Sequence, residues 1–364
     1  MIKHFRKFDW VLIVTALLLV GIGLISIYSI SLGKGDFLNF KKQIIFLITS
    51  LIVMVVLSFF DWRSFKENPY LILVIYFICI VLLLGLFFIA PEIRGVKSWY
   101  KIGPPGGGFS FDPIGLTTII LIVLLAKFFS MRHVEMYKLR HILLSGIYVF
   151  IPFLLIARQP DLGSALILLA LWLGVLVVSG IKLRHFLALV LIGIVVFALS
   201  WSLFLKDYQK QRIVSFLAPQ VETLGINWSQ SQSKIAIGSG GVWGKGFAEG
   251  SQTQLGFLSE PYTDFIFSVI AEEFGLIGVL VILTLFGILI WRIMRIAMSS
   301  EFNIPRLFAF GFAIVLFFQI FIHIGMNLGI LPVIGLSLPL ISYGGSSLIS
   351  IFIGIGLLQG IKTH

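Results

Sequence analysis

The sequence predicts an all-α polytopic membrane protein, with ten transmembrane helices and one large extracytoplasmic loop between the seventh and the eighth. Three observations predict it. Hydrophobic residues make up 59% of the 364 residues and charged ones 12%, against about 45–50% and about 25% in soluble domains. The charges are confined to short islands between apolar runs of about 20 residues, the length that crosses a bilayer as helix. One segment breaks the pattern: about 58 residues after Leu205 carry aromatics, glycines and mixed charge, too many for a plain connection and unlike a disordered tail. The chain reads as a single integral membrane domain over residues 1–364, with a candidate catalytic loop over 206–264.

The spans follow from the punctuation. Span 10–30 comes after a basic start, Met1 to Lys7, that resembles a signal-peptide n-region; it is too long for a signal peptide's apolar core and lacks a small-residue cleavage pattern, so it reads as a retained helix. Charged, proline or glycine residues then set off 43–60, 70–89, 114–129, 141–156, 162–180 and 185–205 before the long loop. After it come 265–290, 307–328 and 341–360. Ten spans return both termini to one side. With the N-terminus in the cytoplasm, 15 of the 27 basic residues lie inside and 7 in the short outer segments. That bias is the positive-inside pattern, and it puts the long loop, 90–113 and 329–340 outside.

Composition narrows the partners. The formal net charge is +11, yet no basic run exceeds Lys41-Lys42, so no nucleic-acid surface is expected. Anionic lipid or a phosphorylated lipid substrate fits the spread of charge better. Cys79 is the one cysteine and the six histidines form no ligand-spaced pair, which excludes a disulfide framework and gives no metal motif.

Several motifs have a functional and a structural reading. The glycine stretch Gly238 to Gly246 fails both the P-loop and the dinucleotide spacing, because Ser239 stands at the first P-loop glycine, Gly246 follows Lys245, and Trp243 stands at the third dinucleotide glycine. It is either an anion cradle of bare N–H groups with Lys245, or a tight turn between two short helices. Ser231 and Lys234 have the S-x-x-K spacing without the companion motifs. Asp264 follows Thr263 where the long loop returns to the membrane and is expected in the first turn of a helix, either matched to the helix dipole or functional. Ser268 and Glu272 continue its face, with Glu260 just before it, and ionisable groups in a span are functional hypotheses. Asp161, after Pro160, fits a helix start. His323 reads as a satisfied bundle histidine.

The ordered motifs together resemble one family. They are Asp207 to Ile213 (DYQKQRI), Gln230 to Gly241 (QSQSKIAIGSGG), Gly244-Lys245-Gly246, Gln254 to Leu258 (QLGFL), Thr263 to Phe267 (TDFIF) and Ala271 to Gly275 (AEEFG). Gln159 to Gly163 (QPDLG), Gly325 to Gly329 (GMNLG) and Leu338 to Ser347 (LPLISYGGSS) complete them. Nearly the whole chain is similar to the SEDS family (shape, elongation, division and sporulation; the FtsW/RodA/SpoVE proteins), nearest its elongation type.

The resemblance implies a ten-helix peptidoglycan glycosyltransferase in the bacterial inner (cytoplasmic) membrane. It would polymerise lipid II, the undecaprenyl-pyrophosphate-linked disaccharide pentapeptide, outside that membrane. In the implied reaction the 4-hydroxyl of an acceptor sugar attacks the anomeric carbon of a donor, displacing undecaprenyl pyrophosphate with inversion. Such chemistry needs a base at the hydroxyl and cations at the leaving group. By resemblance Asp264 is the essential carboxylate and Asp161 a second acid. Arg212, Lys234 and Lys245 are candidates for the pyrophosphate on charge and side, and Glu260, Glu272 and Asp112 are further substrate-site candidates. A divalent cation, Mg or Mn, is expected beside the pyrophosphate. Implied partners are a class B penicillin-binding protein transpeptidase and other elongation-complex membrane proteins.

One departure stands out. Where the family reads F-x-Q-P-S-E-x-x-K, this chain has Gly115 and Thr118 in place of the Glu and Lys, and Asp112 in place of the Gln. The loss of that pair keeps a catalytically impaired scaffold in view. A second rival is a flippase for lipid-linked precursors, which would call for inverted-repeat symmetry; the sequence carries no such repeat.

Overall fold

The structure is a computed structural model that describes residues 2–63, 69–91, 98–103, 108–131, 139–203, 210, 214 and 226–363. Each expected span contains a helix. After a short α1 (Ile2–Phe5) come α2 (Trp10–Lys34), α3 (Leu38–Ser58) and α4 (Pro69–Ile89), then α5 (Pro113–Ser130), α6 (Leu139–Arg158), α7 (Leu162–Val178) and α8 (Leu183–Leu203). The loop contributes α9 (Ile226–Ser239) and α10 (Ser251–Gln254), and the chain closes with α11 (Ile266–Ser299), α12 (Asn303–Leu328) and α13 (Gly345–Thr363). Eight of these are long and apolar enough to cross a membrane; α7, at 17 residues, and the 183–196 stretch of α8 are apolar but shorter.

Three features differ from the sequence reading. A two-stranded antiparallel hairpin, β1 (Tyr100–Ile102) with β2 (Phe109–Phe111), precedes α5, with Tyr100 opposite Phe111. Three-residue strands are too short to leave a periodic signal. The last helix starts at Gly345 rather than at residue 341, because 341–344 belong to a segment folded back into the bundle. And α11 has 34 residues, about 50 Å at 1.5 Å per residue, broken at Gly275, whose φ of 64° and ψ of −160° are not helical.

Helix ends are set by local chemistry. Asp9, Asp112 and Asp161 cap α2, α5 and α7 by accepting from Leu12, Ile114 and Ser164 N–H groups at 3.1, 2.9 and 3.0 Å, which satisfies orphan donors of the first turn. Pro113 takes the first helical position of α5, where a missing N–H costs nothing. Gly35 and Gly329 end α2 and α12 in the left-handed conformation.

Packing orders the helices around α5, the most buried of the eight long spans. Helix α13 lies close along α3, where Gly356 and Gly360 leave no room for a Cβ against the Met54 and Phe60 carbonyls. At one end, buried Asp9 ties three helices together. Its carboxylate accepts from Arg292 of α11 and from Lys362 of α13, and Gln359 bonds its backbone N–H at 2.8 Å. Burial alone would raise that carboxyl's pKa, but Arg292, Lys362 and the Leu12 N–H outweigh it and hold the group below the ordinary value. By contrast α8 exposes apolar side chains on every face, among them Leu187, Leu191, Ile192 and Val195.

Candidate active site

Opposite the Asp9 cluster, two non-helical segments meet. One is the turn 260–265 ahead of α11, closed by the Glu260 carbonyl, which accepts from Thr263 and Phe265 N–H at 3.3 and 3.1 Å. The other is 329–344, between α12 and α13. They are tied directly: Tyr343 N donates to the Tyr262 carbonyl at 2.9 Å, and Ser342 Oγ donates to the Thr263 carbonyl at 2.8 Å. Gln43 of α3 braces the same corner, accepting from Gly344 N at 3.2 Å. Irregular backbone in a membrane bundle needs such partners for its polar groups.

Asp264 is half-buried in the turn, one residue before the N-cap Phe265 of α11, not in the helix's first turn. The dipole-matched position expected for it is therefore not the one it holds, and no side chain caps α11. The Asp264 carbonyl accepts from Asn327 Nδ2 at 2.9 Å. Asn327 is fully buried and its amide is fully used: Nδ2 also donates to the His323 carbonyl at 2.8 Å, and Oδ1 accepts from Ser268 Oγ at 2.6 Å. Ser268 in turn lies 2.6 Å from Ser233 of α9. The Asp264 carboxyl faces Gly335, where an added methyl would sit 3.7 Å from Oδ2.

Asp161 lies across the same folded-back segment. Gly163, two residues on, packs against Leu336 and the Ile334 carbonyl, which an added Cβ would meet at 2.8 and 3.0 Å. Residues 334–336 thus separate the start of α7 from the Asp264 turn. The Asp161 carboxylate accepts from Ser164 N–H and, at 2.6 Å, from Ser164 Oγ, so the helix-start reading holds locally. Asp112 is its electrostatic neighbour. Burial pushes the Asp112 carboxyl up to about 7, the Ile114 N–H opposes that, and the Asp161 charge adds to it. The Asp112 backbone N donates to Ser346 at 2.9 Å, which fixes this cap against α13.

The positions that lack the family's Glu and Lys are closed. A Cβ on Gly115 would meet Ser350 Oγ at 2.6 Å, and Thr118 is buried with its hydroxyl donating to the Ile114 carbonyl at 2.9 Å. Small residues fill this seam between α5 and α13.

Glu272 and Lys245, expected near substrate, are committed elsewhere. Glu272 is fully buried and accepts from Gln252 N, Thr253 N and Thr253 Oγ1 at 2.8 to 3.0 Å and from Lys245 Nζ at 3.0 Å. It is a clamp on α10. The glycine stretch is a second clamp rather than an anion cradle. Lys245 and Gly246 N–H donate to the Glu272 and Glu273 carbonyls, and Leu276 and Ile277 N–H donate back to Gly241 and Val242. The break in α11 is thereby satisfied by the loop. Gly240, Gly244 and Gly275 are required, since a Cβ on any of them would strike the opposing backbone. Lys234 is exposed beside Gly329, with no hydrogen-bond partner among the described residues. Arg212 lies outside the described residues.

Asn327, Ser233 and Ser342 fall inside the motifs quoted above but were given no role, and Gln43 only marked a span boundary; Asn327 and Gln43 are polar residues in apolar helices, a signal that could have found them. His323 was read as satisfied, and half of it is: Nδ1 bonds the Leu336 carbonyl at 2.7 Å, while Nε2 is buried without a partner among the described residues. A cavity of about 310 Å³ lined by Trp62, Ser300, Glu301 and Lys362 lies at the Asp9 end, away from the acids.

Comparison with known proteins agrees with this arrangement. The family profile for FtsW, RodA and SpoVE, described as cell cycle protein, matches residues 9–364. The chain is 39% identical over 315 residues to peptidoglycan glycosyltransferase MrdB of Escherichia coli K12, covering 86% of this chain and 83% of that one. It is 34% identical over 366 residues to stage V sporulation protein E of Bacillus subtilis, covering 98% and 97%. Among solved structures, the rod shape determining protein RodA of Thermus thermophilus matches with a TM-score of 0.71 at 30% identity, covering 98% and 96%. A chain from a peptidoglycan synthase complex, studied for its coordination of polymerization and crosslinking, matches with a TM-score of 0.81 at 29% identity, covering 98% and 97%. This multi-pass membrane protein belongs to the FtsW/RodA/SpoVE family, the SEDS family that its motifs resemble.

Proposed function

We propose that this chain is a peptidoglycan glycosyltransferase of the elongation type, polymerising lipid II at the outer face of the bacterial inner membrane. The observation that carries the reading is Asp264: a half-buried carboxylate on a non-helical turn, facing a glycine, with its backbone pinned by a buried asparagine. A carboxylate so held can take a proton from an acceptor hydroxyl as that oxygen attacks the donor's anomeric carbon. Undecaprenyl pyrophosphate leaves from the opposite face, and the anomeric centre inverts. Asp161 and Asp112, across residues 334–336, form the second acidic group. With its carboxyl at about 7, Asp112 holds a proton for part of the physiological range. Lys234 and Arg212 are the cations proposed for the leaving pyrophosphate. Lys245 reaches that role only by giving up Glu272.

Both termini are proposed to be cytoplasmic, with the Asp264 end outside. The proposed partner is a class B penicillin-binding protein that cross-links the new strand, in line with the synthase complex to which the chain is similar. No three His, Cys, Asp or Glu converge among the described residues, so the divalent cation, Mg or Mn, proposed beside the pyrophosphate would be shared between the phosphates and one or two carboxylates. No step of the mechanism is assigned to a metal. The test is purified protein with labelled lipid II, with and without the cognate transpeptidase. Glycan ladders are expected; intact lipid II in both arms would refute the activity.

A further inference from the structure

We infer that His323 and Asn327, one turn apart on α12, act together as positioning residues that set how far the Asp264 carboxyl stands from the folded-back segment 329–344. The inference rests on the proposed role of Asp264. Asn327 holds the Asp264 turn by its carbonyl at 2.9 Å, and His323 holds the other segment by the Leu336 carbonyl at 2.7 Å. Gly335, next to Leu336, is the residue the Asp264 carboxyl faces. The two segments therefore hang from two side chains on one rigid helix, and the i, i+4 spacing of those side chains sets their separation.

The chemistry of each anchor is specific. A carbonyl oxygen only accepts, so His323 carries its proton on Nδ1, leaving Nε2 the bare nitrogen. Asn327 uses both N–H groups as donors, to Asp264 and to the His323 carbonyl, so the two anchors are also bonded to each other. Its Oδ1 is fixed by Ser268, which prevents the amide from turning over. Both residues bond backbone carbonyls, those of Leu336 and Asp264. They act through backbone, on geometry, and a positioned base loses rate steeply with small displacements.

Turnover separates this from a merely structural role. Asn327→Asp keeps the shape and loses both donors; His323→Leu loses the Nδ1 donor, and His323→Asn restores a donor near the same point. Gly335→Ala adds no buried charge, yet brings a methyl to the carboxyl and strains a residue at φ +73°. With purified protein and lipid II, Asn327→Asp, His323→Leu and Gly335→Ala are expected to lower kcat by about tenfold or more. KM for lipid II should stay within about twofold of the parent, and Gly335→Ala, which buries no charge, should unfold close to the parent temperature. His323→Asn is expected to recover most of the kcat lost in His323→Leu. Unchanged kcat in Gly335→Ala together with either anchor variant overturns the inference, as does a His323→Asn variant no better than His323→Leu. If Asp264→Ala stays active, the reading of the site itself fails; if Asp264→Ala is inactive and the anchor variants are fully active, only the positioning role fails.

Discussion

Lys245 Nζ stands 3.0 Å from Glu272 Oε1, and Glu272 has no exposed surface. The same carboxylate receives the first N–H groups of α10, where a helix start attracts negative charge. One buried acid, about 20 residues along the chain from Gln252 and Thr253, therefore docks the long loop on α11.

Removing that acid is expected to be far worse than removing the lysine. Glu272→Ala leaves several buried donors without a partner and should cost about 3 kcal/mol, the scale for breaking a buried, hydrogen-bonded pair. Lys245→Ala, at a partly exposed position, should cost about 1 kcal/mol. Thermal unfolding in detergent checks the order; equal losses would mean that the carboxylate does not hold α10.

Restoring the family's missing pair should harm this chain. Gly115→Glu with Thr118→Lys brings a Cβ against Ser350 Oγ and two charges into a buried seam, so folded protein is expected to be lost. Even Gly115→Ala should cost about 1–3 kcal/mol by overpacking. Faster polymerisation by the double variant would show that the site still wants those charges.

Asp112 should give stability a pH dependence of known sign. Its folded carboxyl titrates near 7 against 3.8 for the free group, so between those values the folded chain binds the extra proton. Stability is then greatest in acid, falls as pH rises through about 7, and is flat above it. Unfolding midpoints measured from pH 5 to 8 should fall in the parent and fall less in Asp112→Asn. Parallel curves would remove Asp112 as the titrating group.

Orientation is testable without the enzyme assay. A reporter fused after His364 should be cytoplasmic, and a cysteine introduced at Gln220 should react with an impermeant reagent from outside. Reaction only after the membrane is breached would invert the topology and move the site to the wrong face.

Much of this architecture was legible. Apolar length and punctuation located the eight helices long enough to span and the two shorter apolar ones, because crossing a bilayer demands both. Asp161 was legible as a helix cap, since Pro-Asp before an apolar run acts locally. Residue chemistry left Asp264 open between a dipole-matched cap and a functional acid, the resemblance chose the second, and its position was misread because a Thr-Asp pair before an apolar run looks the same whether it caps the helix or precedes the cap. The partners of Glu272 lie about twenty residues away, and those of Asn327 are set by the register of α12 against the turn. Nothing local encodes either. Of the two readings of the glycine stretch, the tight turn between two short helices is the one found: its bare N–H groups suit an anion, but the broken helix at Gly275 takes those of Lys245 and Gly246.

The central claim is that the Asp264 carboxylate carries polymerisation, and Asp264→Asn tests it most directly. That change keeps the shape of the side chain and the backbone bond to Asn327, and removes only the charge and basicity. Single-turnover rates on labelled lipid II, with folding checked by thermal unfolding, should fall by about 10²-fold or more, the scale for losing a positioned base. A folded Asp264→Asn protein that makes glycan strands at the parent's rate would contradict the account.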